Sequence, residues 1–557
     1  MPRQDQTLNP AVPADPELGQ PGISGIARGA AIIAGLTLLS RMLGLVRTLV
    51  FSQSVGATCL GTAYVTANQV PNLISELVLG GVLTGAMVPV LARSAERAGT
   101  DPAAKARVSQ ITSALLTWSV IILVPLTVAV AATAFPIAAV LNPANGNAHC
   151  VHADVVATTG NMLGVFAPQV LLYGVSVVLF GLLQAYRRFV GPSLAPVICS
   201  LVLIASYVAF VPLNDGMPLA RLSLPAELVL AVGSTLAIGS LVVVALPPTW
   251  RLHLRLRPAV RFPPGVARRA SGLALVGVIE FIANDVQTVV AIALANGHGS
   301  TGAIVLFNYA WQVFTSVGAV LALSIVISAF PVLSARDGPA FEQTCAGSTR
   351  AVLLVSWLGT AVIAAIALPV ADVLATQPDQ VSQLVQGFAL FAPGLAGFAV
   401  IANLSRVMFA VGRLKEAAAA LAGSWLLVIV ADVVLVALVP ADQVVGALAL
   451  ATTIGQTVVA IPLVIVTRRI CGKASVHGVG HATVAGLAAA AAGTAVGVGI
   501  SVALPVSHKL LDVGVAVLAA GGAVIAFGAV AYLLDNGDLR VVMARARQLA
   551  GKLRPRP

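Results

Sequence analysis

The sequence predicts an all-α polytopic membrane protein of about fourteen transmembrane helices. They form two pseudo-symmetric six-helix lobes around a central cavity, with two further helices at the C-terminal end. Three observations predict this: a charge-poor apolar composition, basic loops that alternate along the chain, and an internal repeat. Hydrophobic residues make up 58% of the 557 and charged ones 10%, with a mean hydropathy of +0.96. A soluble globular chain is about a quarter charged. Runs of roughly 20 apolar residues, the length that crosses the hydrocarbon core, centre near residues 40, 78, 122, 170, 202, 236, 281, 318, 360, 398, 427, 454, 492 and 523.

Residues 1–25 read as a disordered cytoplasmic tail, because the polar, proline-rich stretch 1–22 has no apolar signal core or cleavage site. The first helix then acts as an uncleaved anchor. Basic residues collect in every second loop: Arg93, Arg97, Lys105 and Arg107; Arg187 and Arg188; six between 251 and 269; Arg336 and Arg350; Arg413 and Lys415; Arg468, Arg469 and Lys473. The intervening loops hold only Arg221 and Lys509. This is the positive-inside pattern. It places both termini in the cytoplasm and accounts for the net charge of +11 without nucleic acid. The basic tail 536–557 fits the same side, where anionic membrane lipid attracts it.

The repeat joins "FAPQVLLYGVSVVLFGLLQAYRR" from Phe166 to "FAPGLAGFAVIANLSRVMFAVGR" from Phe391. Each runs through an apolar helix to a basic turn. A second pair, "VPVLARSAERAG" from Val88 and "FPVLSARDG" from Phe330, ends the second and eighth spans alike. Six spans separate equivalent points, so the lobes fall at 26–247 and 271–470, joined by a basic linker at 248–270, with two added helices at 478–535. Repeated lobes are typical of secondary transporters, whose substrate site lies between them near mid-bilayer.

Charges inside the membrane narrow the chemistry, since each costs at least ~2.5 kcal/mol on insertion scales. They are Arg41, Arg47, Glu76, Glu280, Asp285, Arg406 and Asp432. At about 100° per residue, Thr37, Ser40, Arg41, Gly44, Arg47, Thr48 and Ser52 share one face of the first helix, with Phe51 the one large apolar residue among them. Two guanidiniums flanking hydroxyl residues suit a multi-oxygen anion such as a diphosphate. The alternative is a structural bridge from Arg41 or Arg47 to Glu76. Pro71 and the pair Gly80-Gly81 in the second span suit a bending gate, though packing also explains the glycines. In the second lobe, Glu280, Asn284, Gln287 and Thr288 share a face with Asp285 on its shoulder, and Asp432, Thr452 and Thr453 lie on later spans. Such oxygens suit a coupling sodium ion or a proton relay; the alternative is protonated core acids.

The sequence has no nucleotide-binding loop, G-x-S-x-G or His–Glu metal motif, which argues for a transporter and against an enzyme. The longest external loop, about 142–154, offers only His149, His152 and Asp154, which read as solvated residues. Of five cysteines, only Cys59 and Cys150 fall in external loops. A disulfide between them and two unpaired thiols are both open.

"SRMLGLVR" (Ser40–Arg47), "PNL" (Pro71–Leu73) and "GVLTGAMVPVL" (Gly81–Leu91) resemble, in order and spacing, the opening of the MurJ (MviN) family. These are lipid II flippases of the multidrug/oligosaccharidyl-lipid/polysaccharide exporter superfamily. "FNYAWQ", "FPVLS" and "GALALAT" (Gly446–Thr452) carry the resemblance through the second lobe, over roughly 26–535. It implies a multi-pass protein of the bacterial cytoplasmic membrane. Such a protein flips undecaprenyl-diphosphate-linked peptidoglycan precursor from the inner to the outer leaflet, driven by an ion gradient or the membrane potential, with cell-wall synthesis proteins as candidate partners. A different polyprenyl-linked glycan or a drug-like molecule is the alternative cargo. Arg41 and Arg47 match the family's cavity arginines. The chain departs from the family pattern at Ser75 and Glu76, where many members carry arginine, at Trp311 and Gln312, where many carry an acid–arginine pair, and at Thr48, often aspartate. Binding of the diphosphate then rests on Arg41 and Arg47 with Ser40 and Thr48, while Asn308 and Gln312 offer neutral hydrogen bonds to sugar or peptide.

Overall fold

A computed structural model describes residues 23–77, 97, 101–144, 150–214, 219–260, 266–504 and 509–534. The first part of the chain forms α1 (Ile23–Ser54), α2 (Cys59–Glu76), α3 (Pro102–Ala132), α4 (Ala134–Leu141), α5 (His152–Phe166), α6 (Pro168–Ala185), α7 (Val190–Phe210) and α8 (Leu224–Trp250). The second part forms α9 (Val266–His298), α10 (Ala303–Gly318), α11 (Ser324–Ser334), α12 (Gly338–Leu374), α13 (Pro378–Phe391), α14 (Gly394–Ala410), α15 (Leu414–Val436) and α16 (Val444–Cys471). Two more follow, α17 (Val479–Ala503) and α18 (Lys509–Leu534). Among the described residues there are 13 candidate membrane spans, one for each predicted run except that near residue 78. That run begins on α2 and continues beyond the described residues, where Gly80 and Gly81 also lie. The terminal tails lie outside them too, apart from residues 23–25 at the start of α1.

Two of the described spans are broken at the same motif. Phe166-Ala167-Pro168 divides α5 from α6, and Phe391-Ala392-Pro393 divides α13 from α14. Proline lacks an N–H and clashes with the carbonyl four residues back, so backbone oxygens at each break need other donors. Thr235 on α8 donates its hydroxyl to Val165 O at 2.9 Å. Thr453 on α16 donates likewise to Leu390 O. Val165 and Leu390 are the same position of the repeat. Phe166 and Phe391 are both fully buried. The proton of the Thr453 hydroxyl is therefore committed to backbone, and only its oxygen lone pairs are left for another group.

The helix groups share one core at one end and have separate cores at the other. Phe51, Tyr64 and Phe166 pack in a single cluster with Leu306, Phe314, Phe388 and Val445. At the opposite end, where Arg188, Arg251, Arg413 and Arg468 lie, Val108, Ile111 and Leu182 form a cluster within α3–α8. Leu333, Phe341 and Met408 form another within α11–α17. We call these the disulfide end and the basic end, because Cys59 and Cys150 are bonded, with Cα atoms 5.7 Å apart. The bridge ties the α1–α2 turn to the start of α5.

Hydrogen bonds reinforce the shared core. Asn296 of α9 donates to Thr66 Oγ1 at 3.0 Å and Leu141 O at 2.9 Å. Gln380 donates to Ala57 O at 3.1 Å, and Gln53 to Val373 O at 3.0 Å. Gly302, at φ +79°, stacks on Ala57 so closely that a Cβ would lie 2.5 Å from its carbonyl. The C-terminal pair α17–α18 packs on α12 through small residues, Gly493 and Gly497 against Ala361 and Ala365, as apolar helices do when backbones approach closely.

The disulfide closes a sequence separation of 91, a loop long enough to constrain the unfolded chain by roughly 4–5 kcal/mol on the loop-entropy account. Cys59→Ser should therefore lower the apparent melting temperature of the purified protein by several degrees while leaving its helical circular dichroism intact. An unchanged melting temperature would contradict the bridge.

Candidate functional site

The polar face of α1 opens onto a cavity of about 1080 Å³, at or above the upper end of small-ligand pockets, ~1,000 Å³. Thr37, Ser40, Arg41, Gly44, Arg47 and Thr48 all line it. Ser52 does not: it is fully buried and donates to Leu49 O at 2.8 Å. The same helix becomes more exposed toward the basic end, from buried Phe51 through half-buried Arg47 to exposed Arg41.

An aromatic floor closes the cavity at the disulfide end. Phe51 packs on Tyr64, Tyr207 and Tyr309 with ring centroids 5.3, 5.1 and 6.4 Å away. The Tyr64 hydroxyl is fixed by Ser234 at 2.5 Å and by Tyr207 at 3.0 Å. Above the floor the walls are amide and hydroxyl. Asn68 and Asn72 of α2 follow Tyr64 at intervals of four, so all three share one face, and Tyr173 donates to Asn72 Oδ1 at 2.7 Å. Gln184, Ser193 and Ser200 continue this lining. Among the described residues the second helix group contributes through α10, with Asn308, Tyr309, Trp311, Gln312, Thr315 and Ser316. Thr48 Oγ1 lies 3.0 Å from Gln312 Oε1 and 3.1 Å from Gly44 O. A hydroxyl has one proton, so it serves one of these oxygens at a time.

Arg41 and Arg47 are the only charged side chains among the described lining residues. Neither forms a salt bridge with a described residue. The bridge to Glu76 considered from sequence is not made: Glu76 is absent from the lining and interacts electrostatically with Asp285 across the α2–α9 boundary. Two guanidiniums about 9 Å apart along a helix repel by about 0.5 kcal/mol in water and about 2 kcal/mol at an effective dielectric of 20. The pair therefore holds a modest positive field that a bound anion would relieve. Pro71 is buried within α2, immediately before cavity-lining Asn72.

The acidic residues expected to gather at a cation site do not converge. Asp432 is fully buried and accepts from Gln287 Nε2 at 3.0 Å, while its other oxygen has no partner among the described residues. Asp285 lies two residues before Gln287, about 200° around α9, and faces the other helix group. Glu280 interacts with Arg406 instead, and Thr452 donates to Leu448 O at 3.1 Å. None of the four lines the cavity. Adjacent positions on a helix point in different directions, and spacing alone leaves its rotation undetermined.

The family model for "Lipid II flippase MurJ" matches residues 51–514. The chain belongs to the MurJ family. Members of this family are flippases, transporters and not enzymes, and multi-pass membrane proteins. A MurJ of Burkholderia cenocepacia is 29% identical over 185 residues, 33% of this chain and 34% of that protein. A probable MurJ of Rhizobium tropici is 25% identical over 310 residues, 54% of each. The chain thus aligns with between a third and about half the length of these relatives. Among solved structures, a MurJ titled as an inward closed conformation superposes with a TM-score of 0.67 at 15% identity, covering 90% of this chain and 99% of that one. An inward-facing multidrug transporter of the MATE family and MOP superfamily superposes at 0.62 and 14%, covering 79% and 97%. These likenesses show the fold.

The sequence pointed to Arg41, Arg47, Ser40, Thr48, Asn308 and Gln312, and the cavity brings them together. It did not point to the tyrosine floor or to Asn68, Asn72 and Gln184. A wheel of α2 would have found the first two beside Tyr64. If the cavity opens only at the basic end, a cysteine at Ser40 should react with a hydrophilic maleimide added from that side and be protected from the other. A cysteine at Ala57 should react from neither. This is to be measured in a background where cavity-lining Cys199 is replaced by alanine.

Proposed function

We propose that this chain flips lipid II, the undecaprenyl-diphosphate-linked precursor of peptidoglycan, from the inner to the outer leaflet of the cytoplasmic membrane by alternating access. The observation that carries the reading is the pair Arg41 and Arg47, without carboxylate partners, on the polar wall of a cavity sealed at one end, in a chain of the MurJ family. The arginine-rich loops make the basic end cytoplasmic by the positive-inside rule. The cavity then receives its cargo from the cytoplasmic side. Arg41 and Arg47 hold the diphosphate as bidentate donors, with Ser40 and Thr48 beside them. Asn308, Gln312, Asn68 and Asn72 take the sugar and peptide through neutral hydrogen bonds, and the polyprenyl tail stays in lipid. Release requires the shared core at the disulfide end to part while the basic end closes, with Pro71 letting α2 bend.

In the same reading, Asp432 with Gln287 is the centre of coupling to sodium or protons. An acid with one unpartnered oxygen is stable in apolar surroundings only when protonated or bound to a cation. Glu280, Asp285 and Thr452 contribute only if the helices rearrange.

A charge-assisted hydrogen bond is worth ~1.5–3 kcal/mol, so Arg41→Ala and Arg47→Ala should each weaken lipid II binding by roughly 10- to 100-fold. Each should fail to complement depletion of the flippase, with labelled lipid II retained in the inner leaflet. Lipid II still reaching the outer leaflet after depletion, with no other flippase present, would overturn the assignment. The cargo would then be another polyprenyl-linked glycan or a drug-like molecule. Asp432→Asn should abolish the dependence of transport on the ion gradient. Transport by the wild type that is unaffected by collapsing both sodium and proton gradients would remove the coupling role.

A further inference from the structure

The segment between the two helix groups reads RLHLRLR from Arg251 to Arg257. Basic residues and leucines alternate, a pattern that is amphipathic only in an extended chain, where successive side chains point to opposite faces. After a turn at Arg251–Leu252 the segment runs without helix to Val260. Leu252 is buried and Leu254 partly buried in the core of α3, α6 and α8. Arg251, His253, Arg255 and Arg257 are exposed.

An isolated extended run in a helical membrane protein must find partners for its backbone, and here one helix supplies them. Ser109, Ser113 and Thr117 form a hydroxyl stripe along α3 at intervals of four residues. Ser109 donates to Arg255 O. The N–H of Arg257 donates to Ser113 Oγ at 3.0 Å, and that of Ala259 to Thr117 Oγ1 at 3.1 Å. Trp118 Nε1 completes the ladder on Val260 O at 3.0 Å. The register follows from geometry: four helical residues rise about 6.0 Å and two extended residues about 6.6 Å. Residues 253–260 are therefore a fixed strap.

The strap lies where α3 leaves water. Lys105 and Arg107 are the last charged residues of that helix, and from Val108 to Ala132 it carries none. Arg255 and Arg257 sit beside Ser109 and Ser113, just past this border. Neither forms a salt bridge with a described residue. Beyond them the exposed side chains turn apolar, Leu256 at 41% and Val260 at 56%, next to Trp118 at 39%. Tryptophan at such a border is a mark of the membrane interface.

We propose that the strap is a binding site for an anionic phospholipid of the bilayer, its headgroup phosphate held by Arg255 and Arg257 and one acyl chain lying over Leu256, Val260 and Trp118. The planar guanidinium donates bidentately to phosphate oxygens. The ladder holds two such groups at fixed spacing, so no ordering of the linker is needed when lipid binds. The site belongs to the linker and does not depend on what the cavity carries.

Short-chain phosphatidylglycerol and phosphatidylcholine with identical tails, titrated into the purified full chain and read by native mass spectrometry, test it. Phosphatidylglycerol should bind at least fivefold more tightly. Arg255→Gln with Arg257→Gln should reduce it to the phosphatidylcholine level, while Arg468→Gln with Arg469→Gln should leave it unchanged. Equal binding of the two lipids to the wild type, or an unaltered preference in the first variant, overturns the proposal. So does displacement of the lipid by an equal concentration of inorganic phosphate, which would make the site one for soluble anions. The wild type gives a second test that requires both arginines intact. Brominated-tail phosphatidylglycerol should quench the emission that Trp118→Phe removes more strongly than brominated phosphatidylcholine, and equal quenching also overturns the proposal.

Discussion

A guanidinium group at bilayer depth needs water, a counter-charge or a ligand, because hydrocarbon offers it none of these. Two of them on α1, six residues apart, impose that need over about 9 Å of the helix. Much of the structure follows from it. The helix turns its hydroxyl and glycine positions to the same side as the arginines and its leucines to the other. The facing helices supply amides and hydroxyls in place of carboxylates, so the described lining leaves the two charges without a neutralising acid. An acid placed beside them would have formed a bridge and occupied the site. The acid that the sequence offered as a partner, Glu76, interacts with Asp285 at a different boundary.

The cavity is lopsided, and the reason lies in how the helix groups meet. Both contribute to one core at the disulfide end, where Asn296, Gln380 and Gln53 cross between them. At the basic end each has its own core, so that end can open and close at smaller cost than the shared one. The paired Phe-Ala-Pro breaks sit near the shared core in both groups, and threonines from neighbouring helices cap the carbonyls exposed there. A short π-helical turn, Ala319–Leu323, interrupts the span of α10 and α11 beyond the cavity lining. Such turns mark functional hinges elsewhere. The span of the second group that supplies the described cavity lining is thus also irregular.

Composition and periodicity made most of this legible. Apolar runs located the spans, because a bilayer requires length and hydrophobicity and little else. The polar face of α1 was legible because charges there have so few alternatives. The repeat was legible at Phe166 and Phe391 because proline breaks helices by covalent geometry, which sequence records directly. What stayed hidden depended on helix rotation and partner choice. Asp285 and Gln287 are two residues apart yet serve different neighbours, Thr453 donates its proton to a backbone carbonyl, and Ser52 turned inward at the sealed end. Tyr64 and Tyr207, far apart in the chain, meet only in three dimensions. The alternation in RLHLRLR has a period of two inside an otherwise helical chain, where a count of basic residues conceals it.

The central claim is that Arg41 and Arg47 bind the diphosphate of a polyprenyl-linked cargo. Equilibrium binding of undecaprenyl diphosphate and of undecaprenol to the purified protein, compared with Arg41→Gln/Arg47→Gln, tests it most directly. The diphosphate should bind the wild type at least tenfold more tightly than the alcohol, and the double variant should bind the two alike. Equal affinities in the wild type, or a preference that survives the loss of both arginines, would contradict it.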